Sequence, residues 1–196
     1  LFAHQGQLGN VEIKDLAKHM GRVSASAFKY SGDRDKNLGI LGALAQMAKL
    51  GGASSGAEAA RGAGSFGRDI SKSKALDRFE KEGIEIFADK GKTEFRNPED
   101  IIADVFRKTK GDNAQMSKLF QNDMSKKIMD GFGAVFKDAG GAEDTEAGIA
   151  AIRAEFKRYT ETITDQNVNQ AFQLNQGTDA ATAQRFNNQL EKIAAS

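Results

Sequence analysis

The sequence contains no cysteine and no tryptophan, and it has only 1 proline and 2 histidines among its 196 residues. The lack of cysteine excludes disulfide bridges and cysteine-ligated metals. His19 has no acidic residue or second histidine three or four positions further along its predicted helix, so a zinc site or a Cys/His nucleophile is nearly excluded. No run of about 18 apolar residues occurs, so no transmembrane helix is predicted. Because residue 1 is leucine rather than methionine, we expect an internal piece of a longer protein.

Charge of either sign is not in excess, since 28 basic and 27 acidic residues give a formal charge of +1. The two signs are interleaved along the chain, so the basic surface that duplex DNA requires is not indicated. Aromatic residues, 8% of the total, do not alternate with basic clusters, which argues against single-stranded nucleic acid as well. We therefore expect no sequence-specific nucleic acid partner.

Glycine is present in an unusual amount, with 21 glycines against the single proline. A disordered glycine-rich linker normally contains proline as well. Here the glycines lie inside or between segments of helical periodicity, and the strongest helix breaker is nearly absent. This combination predicts a mainly α, multi-helix globular fold whose helices are short, loosely joined or closely packed through small residues.

Apolar residues at steps of three and four predict the first helices. One helix is expected near 11–30. A second is expected over 36–50, and it is expected to be the most buried element because apolar residues surround most of its circumference. Ser55 and Glu58 form an S-x-x-E capping box that predicts the start of a third helix. Helical periodicity then continues to Gly83, a residue suited to the position just past a helix end.

The segment 84–96 predicts one short β-hairpin. Two β-prone runs, 84–87 and 93–96, flank a tight turn in which Gly91 supplies the positive φ that such a loop needs. We interpret this hairpin as a rigid clip that holds two helical blocks at a fixed angle.

A strong helix start follows the hairpin. Asn97 is the expected N-cap and Pro98 the first helical residue, while Glu99 and Asp100 face the positive end of the helix dipole. The structural residues that we assign to the hairpin and its caps are Gly83, Ile84, Asp89, Gly91, Lys92, Asn97 and Pro98.

Longer amphipathic helices are predicted after this block. Apolar residues at heptad spacing form a seam over 149–163 that resumes at 183–193, and neither run reaches the roughly three to four heptads typical of a coiled coil. Antiparallel packing of the two runs against each other is the favoured arrangement. The patterns predict a helical domain with the hairpin over 1–141, and an amphipathic segment of two helices or one interrupted helix over 142–196.

Two motifs resemble ligand sites. The stretch 62–67 has G-x-G-x-x-G spacing, but it lies in a predicted helix rather than after a strand, so a close helix crossing explains it better than a dinucleotide site. Asp33, Asp35 and Asn37 resemble the start of a calcium loop. The glutamate that such a loop needs at its twelfth position is replaced by Leu44, so a turn and a helix cap explain these residues.

Two pairs of carboxylates, Glu80 with Glu82 and Glu99 with Asp100, are the remaining candidates for acid–base chemistry on sugars. Carboxylates are common, and the second pair is already explained by the helix start. We therefore predict no catalytic, cofactor-binding or metal-binding residue, and we expect that the chain is not an enzyme.

Four stretches, in this order, resemble the core region of phage tail tape measure proteins. They are residues 11–32, 38–66, 74–109 and 110–120. In the third stretch, the family's Gly-Ile, Asp and Gly-Lys hairpin residues followed by an Ile-Ile helix are matched by Gly83-Ile84, Asp89, Gly91-Lys92 and Ile101-Ile102. The resemblance covers residues 1–120, and 121–196 fits only as a generic helical continuation.

This resemblance implies a structural fragment of a long, mostly helical protein in the lumen of the virion tail tube, present in the host bacterial cytoplasm during assembly. Such proteins set tube length by acting as a ruler and leave the tube when DNA is delivered. The implied partners are tail tube and tail assembly proteins, with self-association through helices as a further expectation. Because glycine lowers local helix stability by up to about 1 kcal/mol per site, we hypothesise that the low stability of these glycine-rich helices lets the segment unfold or stretch through a narrow channel.

Two alternatives remain. A helical protein–protein interaction module would use exposed heptad seams at 149–163 and 183–193 as its contact surface. A cell-wall-cleaving domain of a tail protein would need reacting groups that the sequence does not display.

Overall fold

A computed structural model describes residues 30, 31 and 33–162 of the chain. Nearly all of the helix predicted at 11–30, and the resumed seam at 183–193, lie outside these residues. The described part is mainly α, as predicted, with seven helices. In chain order they are α1 (Arg34–Leu50), α2 (Gly56–Ile70), α3 (Ser73–Lys81), α4 (Pro98–Thr109), α5 (Asn113–Leu119), α6 (Asp123–Asp138) and α7 (Thr145–Thr162).

Helix α1 lies at the centre of the fold. Every residue from 37 to 48 is buried, and the helix packs against α2, α6 and α7. Its apolar residues surround the helix because partners cover it on several sides, whereas a surface helix needs only one apolar stripe. The prediction that this segment is the most buried element is confirmed.

The outer helices form a layer around α1. Helix α6 packs against α1, α2 and α7, while α4 packs against α7 and the short helix α5. Phenylalanines fill the space between them: Phe120 contacts the rings of both Phe66 and Phe79, and Phe132 stacks on Phe156. Five of the ten largest fully buried side chains are phenylalanines, so these rings are a large part of the core.

Three helices end in the same hydrogen-bonded motif with a left-handed glycine. At the end of α3, the N–H of Gly83 donates to the Glu80 carbonyl and the N–H of Ile84 donates to the Phe79 carbonyl, both at 2.9 Å. Gly83 has a φ of +72°, which costs glycine little and other residues more. The corresponding bonds occur after α1 and α6, so glycine marks these helix ends.

The predicted hairpin over 84–96 is not a pair of strands, and this part of the fold prediction is wrong. The described residues contain no strand, and here they contain a single antiparallel bridge between Phe87 and Phe95. The N–H of Ala88 donates to the Glu94 carbonyl at 2.8 Å, but the N–H of Glu94 donates to the Asp89 carboxylate at 2.7 Å. In a regular antiparallel ladder the Glu94 N–H would donate to a backbone carbonyl of the opposite strand. Because the Asp89 carboxylate accepts this bond instead, the backbone pairing does not extend towards the turn.

The seam of α7 faces inward. Its apolar residues Ile149, Ile152, Phe156 and Tyr159 are buried, and the helix packs against α1, α4 and α6. The expectation of an exposed contact surface along this seam is therefore wrong for residues 149–159. The rest of the segment 142–196 extends beyond the described residues, and the domain boundary at residue 141 stays a prediction.

Candidate functional site

The connection between α3 and α4, residues 82–97, holds the residues that the sequence singles out, and we call it the clip. Gly83 ends α3 in the left-handed conformation, and Ile84 follows with its side chain 4% exposed. Ile86, two residues further along, is 3% exposed, which is the alternation expected of extended chain with one face on the core. The clip is therefore attached to the body through the two isoleucines.

The carboxylate of Asp89 organises the turn of the clip. It accepts hydrogen bonds from the N–H groups of Thr93 and Glu94 at 2.9 and 2.7 Å, and from the Thr93 hydroxyl at 2.8 Å. The bond from the Glu94 backbone, followed by that from the Thr93 side chain, lowers the pKa of Asp89 because both stabilise the charged form. The Asp89 carboxylate thus accepts hydrogen bonds from two N–H groups of the turn, in place of backbone carbonyl groups.

The left-handed residue of this turn is Lys92 and not Gly91. Lys92 has a φ of +56°, and the described glycines with positive φ do not include Gly91. A β-carbon on Gly91 would lie 2.8 Å from Oδ2 of Asp89, so glycine is favoured there by the nearby carboxylate rather than by backbone conformation. The expected role of Gly91 as the positive-φ residue is wrong.

Helix α4 begins as its sequence indicates, and its acidic start is bound by a second helix. Asn97 accepts from the Glu99 N–H at 3.3 Å, and Pro98 is the first helical residue. Arg153 of α7 donates to Oε1 of Glu99 at 3.1 Å and to Oδ1 of Asp100 at 2.7 Å. One of the carboxylate pairs considered for acid–base chemistry is therefore engaged in holding α4 against α7.

A second ion-pair cluster lies further along α4. Asp104 accepts from Arg96 of the clip at 2.8 Å and from Arg107 at 3.0 Å. Arg107 also reaches Glu146 of α7 with two hydrogen bonds of 2.8 and 3.2 Å. Because the side-chain bonds stabilise both charges, the pKa of Arg107 is raised and that of Glu146 is lowered.

The capping box predicted at the start of α2 forms, but the Glu58 carboxylate binds the residue before the expected one. The Glu58 N–H donates to the Ser55 hydroxyl at 3.2 Å, while the Glu58 carboxylate accepts from the N–H of Ser54 at 2.7 Å rather than from Ser55. Lys127 of α6 donates to the same carboxylate at 2.7 Å. The bond from Lys127, then those from Ser54, lower the pKa of Glu58 from 4.5 to about 2.

Glycines bring the helix backbones into direct contact. A β-carbon on Gly51 would overlap the carbonyl oxygen of Lys127, and one on Gly131 would overlap the carbonyl oxygen of Met47, so α1 and α6 touch along their main chains. A β-carbon on Gly62, in the G-x-G-x-x-G stretch, would lie 3.0 Å from the end of Met124 of α6. That stretch lies within α2, where the sequence analysis places it.

The ring of Phe136 occupies a socket made of glycines. β-carbons on Gly111 and Gly141 would lie 3.0 and 2.7 Å from the ring, and one on Gly148 would overlap it. The ring also lies 4.9 Å from that of Phe106, centre to centre. Glycine at these positions provides the room that a fully buried phenylalanine needs.

These contacts show a packing role for glycines of the described helices, and the hypothesis that glycine makes the segment easier to stretch stays a prediction. In the described helices every glycine is buried except Gly56, which is the first residue of α2. The glycine content predicts close packing through small residues as one explanation, but the sequence does not identify which glycines face which backbone. No local signal distinguishes Gly131 from Gly133 on the same helix.

The residues that resemble a calcium loop serve α1. Asp33 caps the helix by accepting from the Lys36 N–H at 2.8 Å. Asn37 is 7% exposed and accepts from the N–H of Tyr30 at 2.8 Å. Tyr30 is packed against the core, and burial raises the pKa of its hydroxyl. Within the part of the chain that the structure describes, no group of three or more potential metal ligands occurs.

A cleft of about 500 Å³ lies beside the clip. Apolar groups from Leu76 and Phe87 line it together with the charged residues Glu80, Lys90 and Lys92. Charges of both signs surround the cleft, and the nearby Asp89 has a lowered pKa, which is the direction opposite to that of a general acid. The cleft therefore offers no arrangement of groups for proton transfer by Asp89.

No protein-family model, curated protein or solved structure matches this chain. None of the helices in the described residues is long and apolar enough to cross a membrane. The function is therefore inferred from the residues themselves.

Proposed function

We propose that this chain is part of a phage or prophage tail tape measure protein, which sets the length of the tail tube during assembly and leaves the tube when DNA is delivered. The observation that carries the proposal is the order of residues through the clip and into α4. These residues are Gly83-Ile84, Asp89, Gly91-Lys92 and Ile101-Ile102.

The residues of this pattern hold the backbone and the core. Gly83 ends α3, and Asp89 replaces the missing backbone pairing of the turn. Lys92 occupies the left-handed position. Ile101 and Ile102 are both fully buried. These structural roles fit the proposed ruler, whose function depends on its length.

In the folded form that the structure describes, residues 34–162 would add little to the length of a ruler. The longest described helix, α7, has 18 residues, and at ~1.5 Å per residue it spans about 27 Å. As one unbroken helix, residues 34–162 would span on the order of 190 Å. A ruler function for this segment therefore includes opening of the body within the tube.

The proposed location is the lumen of the tail tube, with the bacterial cytoplasm as the site of assembly. The proposed partners are the tube subunits and the tail assembly proteins, with self-association through helices as a further possibility for the open form.

A cell-wall-cleaving activity has less support. Arg153 engages both Glu99 and Asp100. The pKa values of Glu58 and Asp89 are lowered, whereas a glycosidase needs one carboxyl with a raised pKa.

The proposal is tested on purified virions of the phage or induced prophage that encodes the chain. Quantitative mass spectrometry of tails before and after DNA ejection is expected to detect residues 34–162 in filled virions and to find them depleted in emptied tails, relative to the tube subunit. Absence from filled virions, or full retention after ejection, contradicts the proposal.

A further inference from the structure

The extended part of the clip, residues 84–88, is paired on one side only. On the paired side, the Ile86 carbonyl accepts from the N–H of Arg96 at 3.1 Å, and the N–H of Ala88 donates to Glu94. Phe87 lies between these two residues, so its own N–H and carbonyl point to the opposite side. Within the part of the chain that the structure describes, neither group makes a hydrogen bond. We call this unpaired side of the segment the open edge.

The open edge is accessible and has apolar groups beside it. The cleft described above is lined by every residue from 83 to 90, with the half-buried side chains of Leu76 and Phe87 in its wall. Glu85 and Ala88, which flank the centre of the edge, are exposed. An accessible edge of this kind is a template for another extended chain, which pairs with it through backbone hydrogen bonds.

Four exposed charges lie at the two ends of the open edge. Glu85 lies near the start of the extended segment, and Glu80 lies in the last turn of α3, which is hydrogen-bonded to that start. Lys90 and Lys92 lie in the turn at the other end. All four line the cleft, and within the described residues none of their side chains forms an ion pair. The open edge is therefore acidic at one end and basic at the other.

This distribution of charge is complementary to itself. A second copy that runs antiparallel to the first places its basic end against the acidic end of the first, and the same match occurs at the other end of the pair. In a parallel pair like charges would meet, which is destabilising. A dimer with two-fold symmetry requires a surface that is self-complementary in this way. The charges thus favour an antiparallel second copy as the occupant of the edge.

We propose that two copies of this chain dimerise by pairing the open edges of their clips in antiparallel orientation. The N–H and carbonyl of Phe87 in each copy bond to backbone groups of the other, and opposite charges meet at both ends of the pair. Because the paired segment is short, the dimer is weak, with a dissociation constant on the order of 0.1 mM. The pairing is a property of the folded clip, and it does not rest on the proposed function.

Two charge-reversed variants test the pairing. Glu80→Lys/Glu85→Lys makes both ends of the edge basic, and Lys90→Glu/Lys92→Glu makes both ends acidic. Each variant repels a copy of itself, whereas an equimolar mixture of the two matches opposite charges at both ends. All four positions are exposed, so the fold is expected to tolerate the changes, and urea denaturation verifies this. If the second variant is less stable, Lys90→Glu alone replaces it.

Sedimentation equilibrium of the full chain, from about 10 µM to about 1 mM, measures the association. We expect the unaltered chain to form a dimer as its concentration rises. Each variant alone is expected to associate at least about tenfold more weakly, and the mixture is expected to regain a dimer with one copy of each variant. These differences are expected to shrink at about 1 M salt.

A second comparison tests the backbone bonds without changing the charge. Glu85→Pro removes an N–H that points to the open edge, while Glu85→Ala removes the same charge and keeps this N–H. The proline variant is expected to associate more weakly than the alanine variant.

Association that is equal in all variants places the contact elsewhere in the chain. An unaltered chain that stays monomeric up to about 1 mM shows that the charges keep the edge from pairing with itself, and leaves only a segment of another protein as its occupant. Either result overturns the inference. Both are obtained with the isolated chain in solution, so they are independent of the virion experiment above.

Discussion

Gly131 of α6 lies against the carbonyl group of Met47 in α1 so closely that a β-carbon on Gly131 would overlap the Met47 oxygen. The partner atom is backbone, so it cannot move aside as a flexible side chain would. Gly51, the residue after α1, makes the same approach to the Lys127 carbonyl group one turn away, so the backbones are close at both points.

The first prediction compares two glycines on one helix. Gly131→Ala is expected to lower the free energy of unfolding by about 2–3 kcal/mol or to prevent folding, because the methyl group forces α6 away from α1. Gly133→Ala is the matched control: its β-carbon would lie 3.9 Å from the end of Met116, which is an ordinary contact. The free energy of unfolding of that variant is expected to rise by up to about 1 kcal/mol, because alanine has a higher helix propensity than glycine.

Urea denaturation of both alanine variants measures the difference. Equal stability of the two variants would show that α1 and α6 are not in backbone contact at this point.

The second prediction concerns the socket of Phe136. Gly148→Ala is expected to destabilise the fold by about 1–3 kcal/mol, because its methyl group overlaps the Phe136 ring and lies 2.7 Å from the α-carbon of Gly141. Phe136→Leu replaces the ring by a smaller side chain, and this change alone is also expected to lower the free energy of unfolding. The double variant is expected to cost less than the sum of the single ones by about 1 kcal/mol, since the smaller side chain gives the methyl group room. A double-mutant cycle by urea denaturation checks this, and strict additivity argues against the socket.

The third prediction concerns the bridge between α4 and α7. Arg153→Gln is expected to lower the free energy of unfolding by about 0.5–1 kcal/mol. The effect is small because the Arg153 side chain is 40% exposed and solvent screens such pairs. The loss is expected to shrink at about 1 M salt, where the screening length is only a few ångströms. Lys157→Gln, which alters an exposed pair within α7, is the control with a smaller effect. A loss that does not depend on salt would mean that Arg153 acts through packing alone.

The fourth prediction concerns acid stability. The pKa of Glu58 is lowered in the folded protein to about 2 from its ordinary value of 4.5. A carboxyl with a depressed folded pKa contributes stability that is complete above the unfolded pKa and is lost as the pH falls towards the folded one. The contribution of Glu58 is therefore expected to disappear between pH 4.5 and about 2. Glu58→Gln should make the fall in stability over this range shallower.

Asp89 and Glu146 also have lowered pKa values, so part of the acid dependence is expected to survive in the Glu58→Gln variant. Urea denaturation across this pH range measures the slope, and NMR titration of the Glu58 carboxyl carbon gives its pKa directly. A Glu58 pKa near 4.5 would contradict the bonds from Lys127 and Ser54.

Features with a local cause could be predicted from the sequence. The central position of α1 follows from its all-round apolar composition, and the start of α4 follows from Asn97 and Pro98. Each of these signals lies within the sequence of the helix itself, so neighbouring elements need not be known.

Features that depend on contacts between distant residues could not be predicted from the sequence. The hairpin prediction failed because the Asp89 carboxylate competes with the backbone for the Glu94 N–H, which residue types alone do not reveal. The partners of Arg153 lie more than 50 residues away in sequence. The inward direction of the α7 seam likewise depends on helices that the heptad pattern does not specify.

Tail length is the most direct test of the proposal that this chain belongs to a protein whose length sets the length of a tail tube. In the phage or prophage that the proposal requires, residues 34–162 are duplicated in frame, and tails are measured by electron microscopy beside tails of the unaltered phage. Mass spectrometry verifies that the duplicated chain is present in the virions. The account predicts tails longer by on the order of 190 Å if the added segment extends as helix. Tails of unchanged length in virions that contain the duplicated chain would contradict it.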